Sequence, residues 1–168
     1  MVVPSVVIAV NAPAWATEYL TVAQAQRLIF PDETFTPLPL SLSDEQRQGI
    51  KKLSGVSARK KEQRVWETSS GGYFIVDEVV GKHEFITYAV GIDENGKIRQ
   101  IEIMDYRETY GDGIREATWR QQFVGKTSGA KLKLDEDIKN ISGATLSCRH
   151  VTDGVKRIMA MYALVLRK

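Results

Sequence analysis

The stretch Glu84-Phe-Ile-Thr-Tyr-Ala-Val-Gly-Ile-Asp-Glu-Asn-Gly-Lys-Ile-Arg-Gln-Ile-Glu-Ile-Met-Asp105 decides the fold. Two runs rich in β-branched and aromatic residues, 84–92 and 97–105, flank Asp93-Glu-Asn-Gly96. An Asn-Gly pair accepts positive φ, so this spacing predicts a hairpin with antiparallel arms. Tyr88 and Val90 on the first arm, with Ile98, Ile101 and Ile103 on the second, supply the apolar faces.

Working outward, Arg64 to Thr68 and Tyr73 to Val80 read as further strands, joined through the turn-rich Ser69-Ser-Gly-Gly72. Before them, Ser43-Asp-Glu-Gln46 is a capping-box pattern that opens a helix to about Leu53, closed by Gly55. Residues Pro31 to Leu42 contain Pro37 and Pro39 and read as a loop, preceded by a helix over Thr21 to Phe30 that Pro31 stops. Downstream, Ile114 to Val124 reads as a helix and Leu132 to Asp135 as a short strand. The last element, Leu146 to Leu166, is a helix with Val151, Val155, Ile158, Met159, Tyr162 and Val165 on one stripe. The expected architecture is one α+β domain, a mostly antiparallel sheet with helices packed on one side. No repeat or second domain boundary interrupts it.

Composition narrows the chemistry. Lys and Arg total 23 against 21 acids in 168 residues, a net charge of +2 that gives no support for nucleic-acid binding. The densest basic cluster, Arg59-Lys60-Lys61, is short and flanked by Glu62, which suits a solvated face. A single cysteine, Cys148, excludes an internal disulfide and any thiolate cluster for iron–sulfur or structural zinc. Two histidines, His83 and His150, are too few for a histidine-rich metal site. An electron carrier in this chain would therefore be organic.

Residues 2–16, VVPSVVIAVNAPAWA, form an apolar run ending in an A-x-A pattern. The run is about ten residues, well short of the roughly 20 that span a bilayer. We expect an export signal over 1–16, with a single domain over 17–168 that is soluble once the signal is removed. The charged n-region is missing, which a start placed too far downstream would explain; the competing reading is an apolar N-terminal strand.

The chemistry concentrates in Asp137-Ile-Lys-Asn-Ile-Ser-Gly-Ala-Thr-Leu-Ser147. Ser142, Gly143, Ala144 and Thr145 are small and lie just before the long helix. Small residues allow close approach to the backbone. The free N–H groups and dipole of a helix start favour a phosphate. Hydroxyls of Ser142, Thr145 and Ser147 can donate to phosphate oxygens. The plain alternative is that Ser or Thr here simply caps the helix.

Ser142-Gly-Ala-Thr145 followed by Leu146-Ser147 resembles the S/T-G-A-T-x-S/T motif of the FMN-binding domain family. That family includes peripheral flavin subunits of the sodium-pumping NADH:quinone reductase and Rnf complexes, and small exported FMN-binding proteins. The resemblance implies FMN joined by a phosphoester bond to the Thr145 hydroxyl, made by a separate flavin transferase with FAD as donor. Asp137 is similar to the acidic residue of the transferase recognition sequence, at a longer spacing. Glu108-Thr-Tyr-Gly-Asp-Gly-Ile114 resembles the E-T-x-G-x-G segment that borders the flavin, with Tyr110 where many relatives have proline. Trp119-Arg-Gln-Gln-Phe123, with Gly125-Lys126, is similar to the helix end that follows. The resemblance spans roughly Tyr73 to Leu166.

It implies a cofactor site built from Thr145 with Ser142, Gly143, Ala144, Leu146 and Ser147, bordered by Glu108, Thr109, Gly111, Gly113 and Trp119. Gly111 and Gly113 would present backbone N–H groups to the ring, or simply make a turn. Trp119, and less so Phe123, would pack on the ring or in the core. Lys126 and Arg149 are candidates to neutralise phosphate. Cys148 and His150 read as structural. No residue is assigned to catalysis or to a metal. The expected function is extracytoplasmic, periplasmic-type electron transfer between redox partner proteins, with docking to a membrane redox complex as one setting. The alternatives are a flavin-dependent reductase of a small acceptor, and a structural module of an envelope redox complex that carries no flavin.

Overall fold

The computed structural model describes residues 20–168, so the expected export signal and its cleavage site lie outside the described residues. The elements in order are α1 (Val22–Ile29), β1 (Phe35–Ser41), α2 (Asp44–Ser54), β2 (Glu62–Thr68), β3 (Tyr73–Val80), β4 (Phe85–Ile92), β5 (Ile98–Tyr106), α3 (Ala117–Arg120) and α4 (Thr145–Met161). The five strands form one antiparallel meander in the order β1-β2-β3-β4-β5. This is the expected α+β class. No helix among the described residues is long and apolar enough to cross a membrane.

The β4–β5 hairpin forms as read. Asp93 accepts hydrogen bonds on its carboxylate from the N–H groups of Asn95 and Lys97, both at 2.9 Å, which pins the turn. The register slips by one residue near Ile92, where Gly91 pairs with Gln100 but Ile92 pairs with Ile98. That bulge puts Ile98 and Ile101 into one core although they are three residues apart. The Ser43 capping box forms as read and α2 ends at Gly55, and a second capping box, Thr21 with Gln24, opens α1.

The helices do not lie on one side. α2 and α4 cover one face with Tyr73, Ile75, Tyr88, Val90, Ile101 and Ile103 beneath them. α1 covers the other face, where Ala25, Ile29 and Phe30 meet Phe74, Val76, Ala89 and Met104. The unbroken apolar run Tyr73-Phe-Ile-Val76 is the sequence sign of a strand buried on both faces.

Three local expectations are corrected. The proline-containing segment 31–42 holds an edge strand, β1, rather than a loop alone. Pro37 and Pro39 occupy alternate positions, so both imide nitrogens can face away from β2, where no ladder donor is needed. Segment 114–124 is broken into a 3-10 turn (Asp112–Arg115), the single-turn α3 and a second 3-10 turn (Gln121–Phe123), because Glu116 is extended, with ψ 130°. Trp119 and Phe123 still share one buried face, which is why the spacing reads as a continuous helix. Leu132 to Asp135 is not a strand: Leu132 and Asp135 have φ of 45° and 65°. The Asp137 carboxylate takes the N–H groups of Leu132 (3.0 Å) and Lys133 (2.8 Å) that a strand would offer to a neighbour. The last helix, expected over Leu146 to Leu166, is α-helical over Thr145–Met161 and finishes in a wider π-type turn, Tyr162–Leu166.

Candidate functional site

The first turn of α4 is open. Its N-cap residue is Ala144, and no side chain caps the helix. The chain arrives through a tight turn in which the Ala144 N–H donates to the Ile141 carbonyl (3.0 Å), with Gly143 at φ 83°. The plain N-cap alternative therefore does not hold for Ser142 or Thr145. The first-turn N–H groups and the positive end of a 17-residue helix are left facing a cleft.

That cleft has a volume of about 620 Å³ and is lined by Gly143, Ala144, Thr145, Leu146 and Ser147 on the helix side. Glu108, Thr109 and Tyr110 line it from the loop after β5, and Lys82 and His83 from the β3–β4 turn. Its size is that of a small-molecule site. Tyr110 and Leu146 expose apolar surface there, as a flat aromatic cofactor would require. Ser142 is exposed just outside this lining.

Two hydrogen-bonded clamps hold the loop walls. Tyr106, buried at the end of β5, donates its hydroxyl to the Tyr110 carbonyl and lies 3.1 Å from the Ser147 hydroxyl. Burial pushes the Tyr106 phenol up, so it stays a donor. Gly111, at φ 91°, passes so close that an added Cβ would come 2.7 Å from the Tyr106 hydroxyl and 3.3 Å from Ala144 Cα. Its freedom serves the approach of this loop to the start of α4. Gly113 packs beside Ile141 rather than on the cleft. Ser147 is thus buried against Tyr106 rather than offered to a phosphate.

Glu108 forms the second clamp, accepting from the N–H groups of His83 (2.6 Å) and Glu84 (3.0 Å). Burial pushes its carboxyl up, but backbone N–H donors outweigh burial and hold it below the ordinary glutamate range. A lowered folded value means that the clamp is complete above the unfolded value of about 4.3. It is lost as the pH falls through the folded value. Glu108→Gln is therefore expected to shift the His83 and Glu84 amide NMR resonances at neutral pH, and wild type is expected to reach similar shifts only in acid below the ordinary glutamate range. Unchanged amides in the variant would count against the clamp.

Thr145 is half-buried, and its Oγ1 accepts from Asn140 Nδ2 at 2.9 Å. The segment carrying Asn140 is fixed from behind: Trp119 Nε1 donates to the Lys139 carbonyl (2.8 Å), and the Lys139 N–H donates to Gln122 Oε1 (2.7 Å). Trp119 and Phe123 lie in the core, edge to face at 5.2 Å, and neither lines the cleft. Trp119 thus supports the loop and does not stack in the cleft. Lys126 pairs with Asp137 at 3.3 Å, which leaves both committed to the 132–138 loop. Arg149 is exposed beyond the cleft lining. Cys148 is fully buried, and burial pushes its thiol up, away from the reactive thiolate. His150 Nδ1 contacts the Val80 carbonyl at 2.5 Å.

Residues 81–160 match the family model of the FMN-binding domain. The chain carries an FMN-binding domain. The match begins at the β3–β4 turn and covers β4, β5, both cleft loops and nearly all of α4, so the cleft walls all belong to this domain. FMN is the cofactor it binds, and the open helix start with its hydroxyls and apolar rim fits a phosphorylated, flat-ringed molecule. No curated protein matches the chain by sequence. Sequence reasoning missed Lys82 and His83, which reach the cleft from a hairpin tip distant in sequence, and Tyr106 and Asn140, whose value lies in contacts visible only after folding.

Proposed function

We propose that this FMN-binding domain carries its flavin covalently, through a phosphoester bond to Thr145, and works outside the cytoplasm as an electron carrier. The observation that supports this most directly is the position of the Thr145 hydroxyl: it lines the cleft at a helix start whose N–H groups no side chain caps. In the attachment step, Thr145 Oγ1 bonds to the flavin-side phosphorus of FAD, the pyrophosphate P–O bond breaks, AMP leaves, and the hydroxyl proton passes to solvent through the transferase. No electrons change hands in that step. The first-turn N–H groups of α4 would hold the phosphate oxygens, and Lys82 would add positive charge at the cleft edge.

Bound FMN supplies reversible electron transfer through its ring. Thr109 and Tyr110 would border the ring, and Glu108 holds the Lys82–Glu84 turn in place as the opposite wall. The tether keeps the cofactor at high effective concentration, which matters outside the cytoplasm, where free flavin is lost. The domain meets its redox partner proteins briefly, alone or docked on a membrane complex, since electron-transfer encounters need little interface. The test is the intact mass of the full chain produced with export and a flavin transferase. The expected gain is one FMN minus water, located by peptide mapping between Ser142 and Arg149. A chain of unmodified mass under those conditions would refute the covalent reading.

A further inference from the structure

We infer that Asn140 is a positioning residue for flavin attachment, one that presents Thr145 Oγ1 to the incoming phosphorus. The inference rests on Thr145 being the acceptor, as proposed above. Three hydroxyls lie in the Ser142–Ser147 segment. Ser142 is exposed and makes no cap to the helix, and Ser147 is buried against Tyr106. Thr145 lines the cleft at a half-buried position, and its oxygen accepts from a side-chain amide, Asn140 Nδ2, at 2.9 Å. Because the amide donates, Thr145 keeps its own proton and one lone pair free. The bond fixes the direction of the oxygen and offsets the negative charge that grows on it as its proton leaves.

The amide itself is anchored. Lys139, next in the chain, has its carbonyl tied to Trp119 and its N–H tied to Gln122, and Ile138 before it is fully buried. Asn140 Oδ1 is buried and has no hydrogen-bond partner among the described residues. A buried acceptor without a partner is destabilising, and an amide serving only the fold would be expected to satisfy it. Among the described residues the Asn140 side-chain amide thus has one partner, the Thr145 hydroxyl.

The test uses the full-length unmodified chain, purified transferase and FAD, with intact mass followed over time and the site mapped by peptide analysis. Wild type is expected to gain FMN on Thr145. Asn140→Ala should slow that gain by roughly ten- to a hundredfold, the range that one hydrogen bond to a charged partner supplies. Asn140→Asp places an acceptor where a donor is needed and should be slow at neutral pH. Its rate relative to wild type should recover as the pH falls and the carboxyl regains a proton to donate. A role confined to folding would give a pH-independent ratio and a lowered melting temperature that tracks the rate. Equal rates for wild type and Asn140→Ala, or for wild type and Asn140→Asp at neutral pH, would overturn the role of Asn140 while leaving Thr145 as acceptor. Absence of any gain in wild type would instead overturn the covalent reading itself.

Discussion

Thr145→Ala is expected to abolish covalent flavin completely, leaving a chain of unmodified mass whose yellow colour, if any, is lost on denaturation and gel filtration. The effect is total because the nucleophile is removed. The neighbouring hydroxyls are poorly placed to substitute: Ser147 is buried with its oxygen 3.1 Å from Tyr106, and Ser142 precedes the Gly143 turn, outside the cleft lining. Thr145→Ser keeps the oxygen and should keep the modification. Ser147→Ala should also keep it, with a looser Tyr110 loop as its only consequence. Intact mass with peptide mapping decides among these variants. Loss of flavin in Ser147→Ala with retention in Thr145→Ala would assign the ester to Ser147 and overturn the choice of Thr145. Thr145→Ala should also lower stability by about 1–2 kcal/mol, because it removes the oxygen to which Asn140 Nδ2 donates at the start of α4.

Gly154→Ala is expected to destabilise the protein by about 2–4 kcal/mol, although alanine is the better helix former. Gly154 lies in the middle of α4, where it crosses the sheet. A methyl group there would collide with the Tyr88 hydroxyl and come 2.8 Å from Val79 Cγ1 and 2.9 Å from Tyr88 Cζ. Tyr88 has no room to yield. It is fully buried, and its hydroxyl donates to Asp77 Oδ2 at 2.6 Å. Asp77 in turn pairs with the buried guanidinium of Arg157, from the same helix, and burial brings that guanidinium down to about 10. Moving the tyrosine breaks a bond to a charged acceptor; moving the helix strains the element that opens on the cleft. Urea unfolding should show a lower midpoint at unchanged slope. A Gly154→Ala, Tyr88→Phe double variant should recover part of the loss, since the colliding oxygen is gone. A midpoint at or above that of wild type would show that α4 and β4 are less tightly engaged than the distances imply.

The local grammar of the chain was legible in its residues. Ser43, followed three residues on by Gln46, marked a helix start because a capping box needs only contacts within one turn, and Thr21 with Gln24 makes the same motif at the start of α1. Asp93-Glu-Asn-Gly96 fixed a hairpin for the same reason. The prolines of β1 misled because a proline is barred from a strand only when its nitrogen faces a partner, and which side faces out is decided by the neighbouring strand. The periodicity around Trp119 suggested a continuous helix, and the family resemblance suggested a ring-stacking aromatic. In the fold, its indole N–H instead reaches the Lys139 carbonyl, twenty residues away.

By itself, then, the sequence determined the antiparallel α+β class and the boundaries of the capped helices and the hairpin, since each of these depends on neighbours within a few residues. Tertiary structure alone decided that helices cover both faces of the sheet, that Lys82 and His83 share a cleft with Thr145, that Ser147 belongs to Tyr106, and that Asn140 holds the threonine hydroxyl. Those outcomes turn on groups brought within about 3 Å by packing, and hydrogen bonds weaken too steeply with distance and angle to be read from spacing along a chain.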